Sequence, residues 1–378
     1  MTTTTEAPPA TTTAAATAAA TARRSATLRR LPLLLPAGLA LLLGIDAGLE
    51  LLGLPAVRVT DQLPQVHGML LVLGFVGALI ALERAVALRR RPGFLAPILL
   101  GVGGLALVTP APRAVGQAML VAGSAALGLV YLALWRRTRD EAVVIQALGA
   151  VLATGGALLW LGGVPVPRLL PWLAGFVVLT IAGERLELAR LDLSGGGGLL
   201  VGGSLGIMLA TTASLLWPTA GFPLLGLLLA ALVGWLATHD AARRTARGTG
   251  LPRFVALSLY AGYAWLLVAA VVWVVGGPVL EGTGYDAAVH AVFLGFTMAM
   301  IMAHAPVILP AVLRVRLPYH PVMYLPAVLL HASLVLRTAV GDAHGVEWAR
   351  QAGGALNAAA LLLFVGTMAW SAGRAARR

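Results

Sequence analysis

Seven histidines and no cysteine are the metal-binding inventory of this 378-residue chain. His67, His290, His304 and His331 lie inside long apolar runs, whereas His239, His320 and His344 lie at or beyond the ends of runs, near arginine or acidic residues. An ionisable group inside an apolar segment is costly and usually faces a partner or a site. The lack of thiols excludes disulfides, thiolate metal sites and cysteine nucleophiles. Any metal or cofactor must be held by His, Met, carboxylate or backbone.

His67 and His290 open two apolar runs that enter from the same side, so their imidazoles lie at similar depth and could fill the two axial positions of a haem iron. Gly74, Ala78 and Ala81 recur along the His67 face and leave room for a macrocycle. The same small residues would equally serve close helix packing, and an interfacial imidazole can simply bond a loop carbonyl. His290, Thr297 and His304 are spaced seven apart and share one stripe. His304 therefore lies about 21 Å deeper than His290, too far for one haem to use both. A second, metal-binding site from His304 and His331 is one reading; a separate inter-helix hydrogen bond from each ring is the other. Pro306 and Pro310 kink the chain just beyond His304 and leave carbonyls unpaired there. Met298, Met300 and Met302 splay over several faces and read as packing residues.

The acidic residues offer less. Asp46 and Glu50, four apart, share a helix face and serve either proton conduction or charge compensation of Arg58 or Arg337, the second being more economical. Glu83-Arg84 and Glu184-Arg185 sit at the ends of apolar runs and read as ion-pairing groups. No phosphate loop, nucleophile elbow or zinc-protease motif is present.

The elements that must position these residues are membrane helices. The chain is 59% hydrophobic and 11% charged, against about 25% charged in soluble domains. Twelve spans are expected, beginning near Leu31, Val66, Phe94, Ala114, Ala142, Leu169, Leu199, Ala220, Phe254, Ala287, Val322 and Ala352. The third is the shortest, and only Trp217-Pro218 separates the seventh from the eighth. Residues 1–30, rich in Thr and Ala, read as a disordered cytoplasmic tail, 31–372 as one transmembrane domain and 373–378 as a short basic tail. The net charge of +12 comes from arginines clustered between spans, which is topology and excludes nucleic acid as the expected partner. Placing both termini in the cytoplasm leaves only Arg58, Arg113, Arg168, Arg337 and Arg350 on the other side. The expected location is a bacterial plasma membrane, crossed many times.

An internal repeat orders the spans further. Gly74-Phe75-Val76 leads to Glu83-Arg84, and Gly175-Phe176-Val177 leads to Glu184-Arg185, an offset of 101 residues. Gly295-Phe296 stands in the same relation to His304. The matching spans are four apart, which suggests three four-helix units around a pseudo-threefold axis. Gly-Phe pairs are also common in membrane helices, and charges are ordinary at their ends.

The stretch Gln65-Val66-His67-Gly68-Met69, through Gly74-Phe75 to Glu83-Arg84, resembles a signature helix of the NnrS family; His290–Phe296 through His304-Ala305-Pro306 resembles a later one. The resemblance implies a twelve-helix membrane protein with haem and copper, tied to denitrification and nitric oxide stress. That family is distantly similar to subunit I of haem–copper oxidases, whose low-spin haem is held by histidines of helices 2 and 10, matching His67 and His290. It implies a b-type haem, and electron transfer with a quinol or cytochrome as redox partner, or handling of nitric oxide or another diatomic gas. The oxidase copper site does not carry over: Val292 stands where the high-spin haem ligand is expected, and span 6 has no histidine. A cofactor-free transporter working through its buried histidines and carboxylates, or an assembly factor in the membrane, are the competing expectations.

Overall fold

A computed structural model describes residues 32–57, 59–188 and 197–377. The N-terminal tail and Arg58, named above, lie outside these residues. Every regular element among the described residues is a helix, as a lipid-embedded backbone requires: only a helix satisfies its own amides and carbonyls without water.

Eleven of the described helices are long and apolar enough to cross a membrane, and a twelfth apolar helix is shorter. In chain order they are α1 (Pro32–Leu51), α2 (Leu63–Leu88), α3 (Arg91–Ala106), α4 (Arg113–Thr138), α5 (Glu141–Leu161) and α6 (Val166–Leu188). They continue as α7 (Gly197–Leu216), α8 (Pro218–His239), α9 (Gly250–Gly276), α10 (Gly282–Leu313), α11 (Pro321–Asp342) and α12 (Glu347–Ala376). The short member is α3, and the α7–α8 break falls at Trp217, just before Pro218, where the sequence predicts it. Leu35, Leu129, Leu199, Leu209 and Val328 are among many large apolar side chains left exposed. An outward apolar surface of that kind suits lipid and would be a liability in water.

Three helices form the centre. The most apolar stretches of α2, α6 and α10 are 72%, 78% and 67% buried, against 28–56% for the other long helices. α10 packs against both α2 and α6. A β-carbon added at Gly77 of α2 would meet Phe176 of α6 at 3.8 Å, so the third side of the triangle is closed too. These are the helices that carry the Gly-Phe repeat.

Glycine sets the closest approaches. A β-carbon at Gly74 would lie 3.1 Å from the Cα of Gly104 on α3, so this stripe serves helix packing. Ala78 and Ala81 are buried beside it. The macrocycle room expected along Gly74, Ala78 and Ala81 is therefore taken up by protein. Even-numbered α2, α4 and α10 end on arginines in the left-handed conformation, Arg89, Arg139 and Arg314, with φ of 58°, 53° and 57°. Glycine usually holds that position; a guanidinium there meets the negative end of the helix dipole.

Candidate functional site

Polar side chains gather at two ends of the central trio. At the first, the histidine end, His67 stands in the second turn of α2 and His290 in the third turn of α10. The two imidazoles lie within electrostatic reach of each other, together with Arg337 and Asp286. The structure thus brings His67 and His290 to the same end of the trio.

The two rings are held differently. Nδ1 of His290 donates to the carbonyl of Asp286 at 2.7 Å and lies 3.3 Å from its carboxylate, which leaves Nε2 open. The Asp286 carboxylate receives two nitrogens of Arg337 at 3.0 and 3.1 Å. Arg337 is buried, and α12 accommodates it through Gly353, where a β-carbon would come within 2.8 Å of it. His67 makes no hydrogen bond among the described residues and is only half-buried. Next to it, a β-carbon on Gly68 would meet nothing closer than Val166 at 3.9 Å. Asp342, 5% exposed, adds a carboxyl whose oxygens find no donor among the described residues. It faces Asp286, Arg337 and Arg350.

The three helices that build this end are all locally underwound. Leu70–Gly77 follows His67, Ala291–Met298 follows His290, and Leu336–Asp342 contains Arg337 and Asp342; each is a π-helical turn. In the second of these Thr297 returns its hydroxyl to the Val292 carbonyl at 2.9 Å. A π-turn rotates everything beyond it relative to a regular helix, and such turns often occur at functional sites. Uniform 3.6-residue periodicity cannot foresee them.

The donor set fits axial ligation of a haem. His67 lies within electrostatic reach of His290, whose Nδ1 is bonded to a carbonyl and lies beside a carboxylate, the usual support of a metal-bound histidine. Among the described residues no three His, Asp or Glu side chains come together as a metal ion would need. His304 has both nitrogens engaged: Nδ1 donates to the Met300 carbonyl at 2.7 Å, and Nε2 lies 3.4 Å from Arg185. His331 accepts at Nδ1 from Trp265 at 3.1 Å, while its buried Nε2 has no partner among the described residues. No hydrogen bond or electrostatic contact joins His304 to His331. The structure thus follows the inter-helix hydrogen-bond reading for His304. Met298, Met300 and Met302 are packed in the core.

The second, glutamate, end brings the repeat positions together. Arg185 binds Asp240, beyond the end of α8, at 2.6 and 2.7 Å and also reaches His304 of α10. Asp240 further accepts from Tyr263 of α9 at 2.8 Å and from the Ala242 amide at 2.9 Å. Burial works against the Asp240 carboxylate, but the hydrogen bonds and charge of Arg185 prevail and hold its pKa below the usual carboxylate range. On the other side of α6, Arg84 of α2 pairs with Glu83 and, at 3.1 Å, with Glu187. The ion pairs expected of Glu83, Arg84 and Arg185 are formed, whereas Glu184 makes none among the described residues.

Of the two cations that Asp46 and Glu50 were expected to compensate, Arg337 lies among the described residues and Arg58 does not. Asp46 accepts from the Val57 amide at 2.7 Å, and Arg337 pairs with Asp286 in place of Asp46 or Glu50. The Asp286–His290 pair, four residues apart, was legible in the sequence as an i,i+4 contact; Asp240–Arg185, from distant segments, was not. His239 stacks on Trp235, His320 caps the Val322 amide and His344 bonds the Ala339 carbonyl, all local roles.

A family model described as a domain of unknown function, DUF8744, matches residues 30–373. The chain belongs to the DUF8744 family. No curated protein and no solved structure matches this DUF8744 chain.

Proposed function

We propose that this DUF8744 protein is a membrane haem protein, similar to the NnrS family, in which His67 and His290 are the axial ligands of a b-type haem. The carrying observation is the pairing of an imidazole without a hydrogen bond, His67, with one anchored from behind, His290. Asp286 fixes the His290 tautomer with Nδ1 as the donor, which leaves Nε2 without a hydrogen bond among the described residues, and Arg337 holds Asp286 in place. A haem held by two imidazoles has no open position and supplies one-electron transfer. The chain's own work is then to orient the rings, exclude water with the apolar trio and balance charge through Arg337.

Electron transfer, with a quinol or cytochrome as partner, is the reading we favour; handling of nitric oxide or another diatomic would need a displaced ligand. Twelve spans in a pseudo-threefold array, with both termini cytoplasmic in a bacterial plasma membrane, complete the proposal. The central placement of α2, α6 and α10 and the arginine-capped ends of even-numbered helices support it. A proton-coupled transporter is the second reading, favoured by buried carboxyls such as Asp342.

The test is the reduced-minus-oxidised visible spectrum of the detergent-solubilised protein from haem-replete cells. A b-type signal is expected in the wild type and its loss in both His67→Ala and His290→Ala. A colourless wild-type protein would remove the haem proposal and leave the transporter.

A further inference from the structure

A second site lies at the glutamate end and does not depend on the haem. Glu184 of α6 is 8% exposed and makes no hydrogen bond among the described residues. Around it stand Glu83 and Arg84 from α2, Tyr131 from α4, and Glu187 and Arg185 from its own helix. Gln146 of α5 bridges Arg84 and Glu187 at 3.3 and 3.4 Å. The charges do not balance. Arg185 is consumed by Asp240, and Arg84 is engaged by Glu83 and Glu187. Glu187 is 40% exposed, at the rim. Glu184 is left as a buried carboxyl with a like-charged neighbour and no dedicated cation.

A second, independent observation points into the same space. The Tyr131 hydroxyl is fully buried, has no hydrogen-bond partner among the described residues and faces Glu83, Arg84, Glu184 and Glu187. An unpaired ionised carboxylate in such surroundings is far costlier than a neutral acid, and two neighbouring carboxyls avoid repulsion by keeping a proton on one of them.

We propose that Glu184, with Glu83 and Tyr131, forms a proton-binding site in which Glu184 is protonated in the resting protein at neutral pH. One proton from the aqueous rim beside Glu187 binds a Glu184 carboxylate oxygen and gives the neutral acid; no electron moves and no other bond breaks. Tyr131 is placed to bond that acid, and Gly183 lets α5 and α6 approach closely enough to enclose it, since a β-carbon there would sit 2.6 Å from the Ala142 carbonyl.

Infrared spectroscopy of the full-length protein in lipid at neutral pH tests this. A carboxylic-acid C=O band is expected in the wild type, absent from Glu184→Gln, shifted in Tyr131→Phe, and retained in Glu187→Gln. Dicyclohexylcarbodiimide, which reacts with protonated carboxyls in apolar sites, is expected to modify Glu184 and to do so less as pH rises, read by peptide mass spectrometry. Identical carboxylic-acid bands in wild type and Glu184→Gln would overturn the proposal, because that comparison needs no reagent to reach the site. The visible spectrum reads the haem separately, so failure of one idea is distinguishable from failure of the other.

Discussion

The histidine end, built from α2, α10 and α11, and the glutamate end, built from α2, α4, α6 and α10, each leave a different kind of atom unpaired. At the histidine end the buried cation, Arg337, is spent on Asp286, and what stays open is imidazole nitrogen on His67 and His290. At the glutamate end the imidazole of His304 is tied to Arg185 and the Met300 carbonyl, and what stays open is a carboxyl and a phenol. Imidazole nitrogens are ligands for iron; a buried carboxyl beside like-charged neighbours is a place for a proton. The difference teaches that counting charged residues along α2, α6 and α10 says little, whereas finding the groups without partners separates two chemistries.

The comparison can be broken most severely at Arg337. Arg337→Met should destabilise the protein by about 3 kcal/mol, the low end for breaking a buried ion pair because Asp286 is partly exposed. The lost stability should be recovered in part when Asp286→Asn is added, as measured by thermal unfolding in detergent. An additive double mutant would show that the two do not act as a unit.

A packing change should cost less. Gly183→Ala pushes a methyl toward the Ala142 carbonyl and Gln146, and an overpacking penalty of about 2 kcal/mol is expected. It should leave any His67–His290 signal unchanged, because it acts at the opposite end. A variant with normal stability would mean that α5 and α6 have slack beside Glu184.

The smallest effect concerns acid. The Asp240 carboxyl has its pKa lowered in the fold, so its stabilising contribution is complete above its unfolded value and lost as pH falls through the folded one. The stability gap between wild type and Asp240→Asn should accordingly be constant near neutrality and narrow below about pH 4, the ordinary carboxylate value. Thermal unfolding across that range gives the answer, and a gap that widens on acidification would contradict the Arg185–Asp240 assignment.

Particular residues show where sequence reading succeeds. His67 and His290 each begin a long apolar run with the same entry side, so their common depth follows from counting spans. The repeat linking Glu83, Glu184 and His304 follows from local identity, and the trio that carries it is the most enclosed part of the bundle. The Gly74 stripe shows the opposite case. Small residues make a helix face approachable, but what approaches, here Gly104, depends on how α3 lies against α2. His304 and His331 likewise suit a shared site on paper, but their partners are Arg185 and Trp265.

By itself, the sequence determined the apolar character of the spans and the element type, because hydrocarbon tolerates only self-satisfied helices and makes every buried charge conspicuous. The tertiary structure alone decided which polar groups find each other. Azimuth around a helix is set by packing and by π-turns such as Leu70–Gly77 and Ala291–Met298, and one extra residue in a turn redirects every side chain beyond it.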